Sequence, residues 1–194
     1  GGGGQQGPLL AAAGALVTVF DISSKQLEVD KKVSTKENLN IRTVQGDAAD
    51  LSFFSDCEFD LIVNPVSNCF FPDLMSVWKE CSRVLKFNGD LLVGFTNPIV
   101  YCFDFEKANR GEFQMKYKQP YSDLESLDEN EKKRFLRKQT PLEYGHSLTS
   151  QMGGLIKEGF SITGFFEDKW HTNEPINKFL PQFISIKAKK TAAS

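Results

Sequence analysis

The apolar positions along the chain fall into short runs separated by amphipathic stretches. Leu16–Phe20 (LVTVF) is a nearly unbroken run of β-branched and apolar residues, the pattern of a strand buried on both faces. Ahead of it, Pro8–Gly14 predicts a short helix of small residues closed by Gly14. After it, Ser23 or Ser24 can cap a helix running to about Thr35, with Leu27 and Val29 among its few apolar positions. Leu39–Val44 alternates and reads as a strand, and Phe59–Val63 reads as another buried one. Asp73–Leu85 carries Leu74, Val77, Trp78, Cys81 and Leu85 at helical spacing. Phe87-Asn88-Gly89-Asp90 then turns into a strand over Leu91–Phe95.

From Pro98 to about Tyr144 the pattern changes to aromatic and charged residues around a polar helix at Leu124–Arg137. This segment reads as a cap inserted over a ligand site, or equally as a surface excursion. The polar helix offers little burial, so the segment is expected to be more mobile than the sheet. A helix at about Ser147–Glu158 follows. Phe160–Phe166 and Phe179–Ala188 are then strands joined by a loop through Trp170, His171 and Pro175. Alternating strands and helices predict an α/β fold with a mainly parallel sheet. The last two strands lack an intervening helix and should form an antiparallel pair on one edge. The whole chain, 1–194, reads as one domain with the insertion at about 98–144.

Composition adds limits. The chain is 40% hydrophobic and 25% charged, enough for a real core, and its net charge of −2 offers no general attraction to nucleic acid or an anionic membrane. The longest apolar stretch, Leu9–Phe20, is too short to span a bilayer. Cys57, Cys69, Cys81 and Cys102 form no C-x-x-C pair, and His146 and His171 are the only imidazoles. No metal site is expected; reduced thiols in a cytoplasmic protein are. The chain has no start methionine and begins inside a glycine run, so a preceding segment is expected.

Three places carry candidate chemistry. Gly1-Gly2-Gly3-Gly4-Gln5-Gln6-Gly7 leads into a helix; glycine suits a tight turn that must approach a ligand closely, and the helix start presents free N–H groups. A linker would also be glycine-rich. Asp21 ends the strand LVTVF, where a carboxylate can accept hydrogen bonds from two ribose hydroxyls; a helix cap is the alternative. Gly46-Asp47-Ala48 follows the next strand. Asp47 there can accept an exocyclic amine of adenine and the Ala48 N–H can donate to a ring nitrogen, although Gly-Asp is also turn chemistry.

Taken in order, GGGGQQG, VFDIS, QGDAAD, FDLIVNPVSN and ECSRVLKFNGDLLVGF resemble the motif series of class I S-adenosylmethionine (SAM)-dependent methyltransferases, of the small-molecule bacterial type with unassigned substrates. The resemblance covers residues 1 to about 96. It implies a Rossmann-like, mainly parallel seven-stranded sheet with an antiparallel C-terminal strand pair. It also implies that Gly2 and Gly4, with Gln5, pack against the methionine part of SAM. Asp21 and Ile22 would serve the ribose, Asp47 and Ala48 the adenine, and Asn64, Pro65 and Val66 would line the site. The family's first strand should precede Gly1 and is missing from this chain. Asn64-Pro65-Val66-Ser67 only partly resembles the N-P-P-aromatic motif of amino methyltransferases, lacking the second proline and the aromatic, so that substrate class is not carried over.

Methyl transfer to an alcohol or ammonium needs a base, and His146 is the candidate by position, against a capping or surface role. Tyr101, Tyr117, Tyr121, Tyr144 and Trp170 could line an acceptor pocket, or simply pack. The expected partner is a small-molecule acceptor; nucleic acid and membrane are not expected. Two other readings stay open. Gly2-x-Gly4-x-x-Gly7 with Asp21 formally matches a nicotinamide dehydrogenase fingerprint, and the chain could be a SAM-binding module without catalysis.

Overall fold

The computed structural model describes residues 3–137, 141–169 and 173–191. They fall into two compact units, 1–54 and 55–194.

In residues 1–54, α1 (Gln6–Ala12) leads to β1 (Val17–Asp21), α2 (Ser24–Lys36) and β2 (Ile41–Gln45). Gly14 leaves α1 at φ +94°, a conformation that glycine adopts without a steric penalty. Ser23 caps α2, its hydroxyl accepting from the Gln26 N–H. β1 and β2 pair in parallel from Val17↔Ile41 to Asp21↔Gln45. One expectation is corrected here. The run expected as a doubly buried strand begins at Val17, with Leu16 fully exposed, and only Val19 of β1 is buried, because β2 is its single ladder partner among the described strands. The inward face of α2 carries Leu27, Asp30 and Ser34, at i, i+3 and i+7, while Val29 is partly exposed beside Gly4.

In residues 55–194 a four-stranded sheet runs in the order β3 (Phe59–Pro65), β4 (Leu85–Thr96), β8 (Phe183–Lys190), β7 (Phe160–Asp168). β3 and β4 are parallel; β8 is antiparallel to both β4 and β7. The closing strand pair therefore sits on one edge as expected. The rest differs from a single seven-stranded, mainly parallel sheet: the described strands form this mixed sheet, the parallel pair β1–β2, and a short pair, β5 (Tyr121–Ser122) with β6 (Tyr144–Gly145). β4 is one long strand rather than a turn and a strand. Its ladder jumps from Phe59↔Leu85 to Leu61↔Asp90, and the turn survives inside the bulge, with Asn88 at φ +63°.

The core of this unit is built on one face of that sheet. Leu91, Val93 and Phe95 stand opposite Ala188, Ile186 and Ile184, and all six are buried. α3 (Leu74–Val84), capped by Asp73, contributes Val77 and the fully buried Trp78. The buried Lys190 Nζ donates to the carbonyls of Ser82 and Leu85 at 2.6 and 2.9 Å, satisfying acceptors left open at the end of α3.

Between positions 98 and 145 the described residues form several short elements. A 3-10 turn (Pro98–Cys102) and α4 (Phe105–Ala108) precede β5; α5 (Asp123–Ser126) and α6 (Glu129–Arg137) follow it. The expected helix breaks at Leu127 because Asp128 caps a new one, accepting from the N–H groups of Asn130 and Glu131. Tyr101, Phe105, Tyr117 and Tyr121 pack ring on ring, with Tyr101 and Tyr121 buried, so the segment has an aromatic core of its own. The helix expected from Ser147 is a π-helical turn, Thr149–Gly153, running into α7 (Gly154–Lys157). Gly154 lies against Trp78; a Cβ there would come within 2.7 Å of the indole.

Candidate functional site

Within residues 1–54, the parallel ladder sets Asp21 and the Gln45–Ala48 segment at the same, carboxyl end of the strands. Asp21 pairs with Gln45, the Gly46 N–H donates to the Asp21 carbonyl at 3.1 Å, and Gln45 Nε2 donates to the Ile22 carbonyl at 3.1 Å. Asp21 Oδ1 accepts from the Ser23 N–H at 2.8 Å, so the carboxylate is held by the turn that starts α2. Gly46 lies against Phe20, where a Cβ would come within 2.5 Å of the ring. Asp47 Oδ1 accepts from the Ala49 N–H at 2.9 Å. The half-buried Ala48 keeps its N–H without a hydrogen-bond partner among the described residues.

The glycine loop belongs to the same unit. Gly3 and Gly4 have φ of +58° and +84°, and a Cβ on Gly4 would come within 2.9 Å of Val33 and 3.0 Å of Val29. The Gly4 N–H donates to Asp30 Oδ1 at 3.1 Å. Asp30 is fully buried and its Oδ2 has no partner; burial pushes its carboxyl above the usual range, opposed by the Gly4 N–H. Gln5 precedes α1 without making a side-chain cap. Gly2 lies outside the described residues. An open groove of about 550 Å³ is lined by Gly4, Gln5, Pro8, Leu9 and Val33, but not by Asp21, Ile22, Asp47 or Ala48.

Gly3 and Gly4 are tight against α2, where a Cβ would meet Gln26, Val29 and Val33. The groups at the strand ends are of the types that suit the nucleoside part of SAM. A strand-end carboxylate suits a ribose diol, and an unpartnered N–H suits an adenine nitrogen.

In residues 55–194, β3 ends in Asn64 and Pro65, level with Val93 and Gly94 of β4. Val66 follows at φ +46°, unusual for a β-branched residue, with its N–H donating to the Gly94 carbonyl at 2.7 Å. The chain turns back there, so the Ser67 hydroxyl donates to Asn64 Oδ1 and Asn64 Nδ2 donates to Asn68 Oδ1 at 2.8 Å. Asn68 Nδ2 donates to Gln151 Oε1 at 2.6 Å.

His146 Nε2 donates to the Phe71 carbonyl at 2.8 Å, and its ring lies nearly parallel to that of Tyr144. Burial pushes its pKa below the usual value, opposed by the Phe71 and Asn68 backbone and by Asp73. The nitrogen that faces Phe71 is thus engaged in holding two chain segments together.

Nearby, the Tyr101 hydroxyl donates to Glu143 Oε2 at 2.9 Å, the Tyr121 hydroxyl to Asp123 Oδ1 at 2.7 Å, and the Glu143 N–H to Asp123 Oδ2 at 2.7 Å. Burial raises the Glu143 carboxyl above its usual range; it also raises the Cys69 thiol, with help from Glu143, to about 11. Of the expected pocket aromatics, Tyr101 and Tyr121 are interior packing, and Trp170 lies outside the described residues, as does His171.

The residues that sequence reasoning missed are Asp30, Asn68, Gln151, Asp123 and Glu143. Two left a signal: Asp30 and Gln151 are polar residues on otherwise inward helical faces. Among the described residues, no helix is long and apolar enough to cross a membrane, and no group of three His, Cys, Asp or Glu could hold a metal ion.

A family profile described as a methyltransferase domain matches residues 1–93. The chain is 50% identical over 168 residues to the uncharacterized methyltransferase YbaJ of Bacillus subtilis (strain 168), covering 87% of this chain and 66% of that protein. It is 34% identical over 98 residues to the demethylmenaquinone methyltransferase of Staphylococcus saprophyticus, covering 50% of this chain and 37% of that one. The chain thus spans less than two thirds of these relatives' length. Among solved structures, a SAM-dependent methyltransferase from Methanosarcina mazei shares the fold, with a TM-score of 0.69 at 20% identity over 97% of this chain and 88% of that one. Neither the nicotinamide dehydrogenase nor the non-catalytic module finds support among these relatives. On its motifs, its fold and its relatives, the chain is similar to methyltransferases in sequence and shares the fold of SAM-dependent ones.

Proposed function

We propose that the protein transfers a methyl group from SAM to a small-molecule acceptor. The observation that carries this reading lies within residues 1–54. One parallel ladder brings the Asp21 carboxylate and the Asp47–Ala48 turn to the same strand ends. Gly2, Gly4 and Gln5 are assigned to the methionine part, Asp21 and Ile22 to the ribose, and Asp47 and Ala48 to the adenine. Asn64, Pro65 and Val66, at the end of β3, are assigned on the resemblance alone to lining the SAM site.

SAM, when bound, supplies an electrophilic sulfonium methyl, so the protein's contribution is to orient the acceptor and exclude water. The segment 98–144 is assigned to the acceptor side. The net charge of −2 favours a small acceptor over a nucleic acid. His146 stays a candidate base only through the ring nitrogen that does not face Phe71.

Calorimetry with SAM, S-adenosylhomocysteine, NAD and NADP tests the cofactor. Binding of the first two alone is expected, and binding of NAD or NADP alone would overturn the reading. Release of S-adenosylhomocysteine on addition of fractionated metabolite pools then identifies the acceptor.

A further inference from the structure

The four side chains Ser67, Asn64, Asn68 and Gln151 form a one-way chain of hydrogen bonds. The Ser67 hydroxyl donates to Asn64 Oδ1, Asn64 Nδ2 to Asn68 Oδ1 at 2.8 Å, and Asn68 Nδ2 to Gln151 Oε1 at 2.6 Å. Its inner members are sealed from water: Asn68 is 0% exposed and Gln151 3%. Asn68 and Gln151 stand 83 positions apart, so this contact exists only in the fold.

Three features brace its ends. The left-handed Val66 folds the chain so that Ser67 and Asn68 reach back to Asn64. The π-helical turn carries Gln151, which is buried. The Trp78 Nε1–H donates to the Ser150 carbonyl at 3.1 Å, tying that turn to α3.

Stability alone does not call for such a pair. Burying two amides forfeits their hydration, and two apolar side chains of the same shape would serve the core about as well. What the amides add is direction. With its oxygen committed to Ser67 and one N–H committed to Asn68, the Asn64 carboxamide has a single orientation.

We propose that Asn68 and Gln151 are positioning residues of the methyl-transfer site, holding the Asn64 carboxamide in the one orientation in which it meets the ligand. The proposal rests on the reading that Asn64 lines the SAM site, and the test separates the two. S-adenosylhomocysteine affinity is measured by calorimetry, with melting temperature alongside, for the full chain and for Asn64→Ala, Gln151→Met and the double variant. Asn64→Ala is expected to weaken affinity about tenfold and Gln151→Met about fivefold, with the double variant no weaker than Asn64→Ala alone. A residue that only packs would lower the melting temperature in both backgrounds and leave affinity unmoved.

A folded Gln151→Met protein with unchanged affinity, or additive losses in the double variant, overturns the positioning role while the Asn64 assignment stands. An Asn64→Ala protein with unchanged affinity overturns the assignment and the proposal together. Should Gln151→Met fail to fold, Asn68→Ser takes its place in the same cycle and is read by the same outcomes.

Discussion

Residues 1–54 hold their candidate groups locally, whereas residues 55–194 hold theirs across the chain. Asp21 is fixed by the N–H of Ser23 and Asp47 by that of Ala49, each two positions away. Asn68 and Gln151 are 83 positions apart, His146 and Phe71 are 75, Trp78 and Ser150 are 72, and Tyr101 and Glu143 are 42. A group oriented by its own turn draws its orientation from neighbours in sequence, so its removal is expected to leave distant packing in place. A group that ties distant segments together carries stability as well as geometry. The first unit should therefore separate ligand affinity from stability under mutation, and the second should couple them. The first unit also has longer ties: Asp30 reaches the glycine loop 26 positions away, and Gln45 reaches the Ile22 carbonyl 23 positions away.

The sharpest break of this comparison is in the second unit. Gly154→Val places a branched side chain where even a Cβ would lie 2.7 Å from Trp78 and 2.9 Å from Met75. Overpacking against the fully buried indole should cost about 3 kcal/mol in denaturant melts. It should weaken S-adenosylhomocysteine binding as well, since the turn that carries Gln151 is displaced. A stability loss of about 3 kcal/mol, as predicted, with unchanged affinity in the still-folded variant would show that the two are not coupled there. The converse case is Asp21→Ala. It should weaken SAM binding by about 2 kcal/mol, because ribose hydroxyls lose a charged acceptor, while the melting temperature shifts far less. Unchanged calorimetric affinity in the folded variant would remove the ribose assignment.

The same division explains what the sequence made legible. The strands ending at Asp21, Gln45 and Pro65, and the helix capped by Asp73, rest on local periodicity and capping, and each lies within a few residues of its expected place. Asp21 and Asp47 were accessible for the same reason: position after a strand is a local property. The π-turn was not, because Leu148, Gln151 and Leu155 keep an i, i+3, i+7 spacing that also suits an ordinary helix. Nor were Asn68 and Glu143, whose partners are set by the sheet order rather than by neighbours in sequence. The antiparallel β7–β8 pair is legible, because no helix separates the two strands, whereas the insertion of β8 between β4 and β7 has no local signal.

Asp30→Asn sharpens the comparison at a smaller scale. The buried carboxyl has one oxygen on the Gly4 N–H and the other without a partner, and burial raises its pKa above 3.8. A raised folded value means that this group favours the fold most when protonated, below its unfolded pKa, and that this contribution is lost as pH rises through the folded value. At neutral pH the ionised side chain is therefore a burden that asparagine lifts while keeping an acceptor for Gly4. The variant should be about 1 kcal/mol more stable at pH 7 and no more stable in strong acid. Chemical denaturation at the two pH values checks it, and a destabilised variant at pH 7 would mean that the negative charge itself holds the loop.

The smallest effect is expected at His146, where the two roles considered for it diverge. Burial lowers its pKa below 6.5. The fold therefore favours the neutral ring, and this contribution is complete above about pH 6.5 and lost as pH falls from there toward the folded value. Gln in its place keeps an N–H that can reach the Phe71 carbonyl but cannot titrate. Stability of His146→Gln should match the parent at pH 8 and fall less steeply below about pH 6.5, as read by melting temperature across pH. If His146 only ties its segment to Phe71, methyl transfer to an acceptor identified from metabolite pools keeps its rate and its pH profile in the variant. If its other nitrogen takes the acceptor's proton, the rate falls by about a hundredfold or more and the acid limb of the profile disappears. Because glutamine preserves the contact while removing the base, a flat stability profile together with that loss of rate would place catalysis, and not merely architecture, in the long-range network of the second unit.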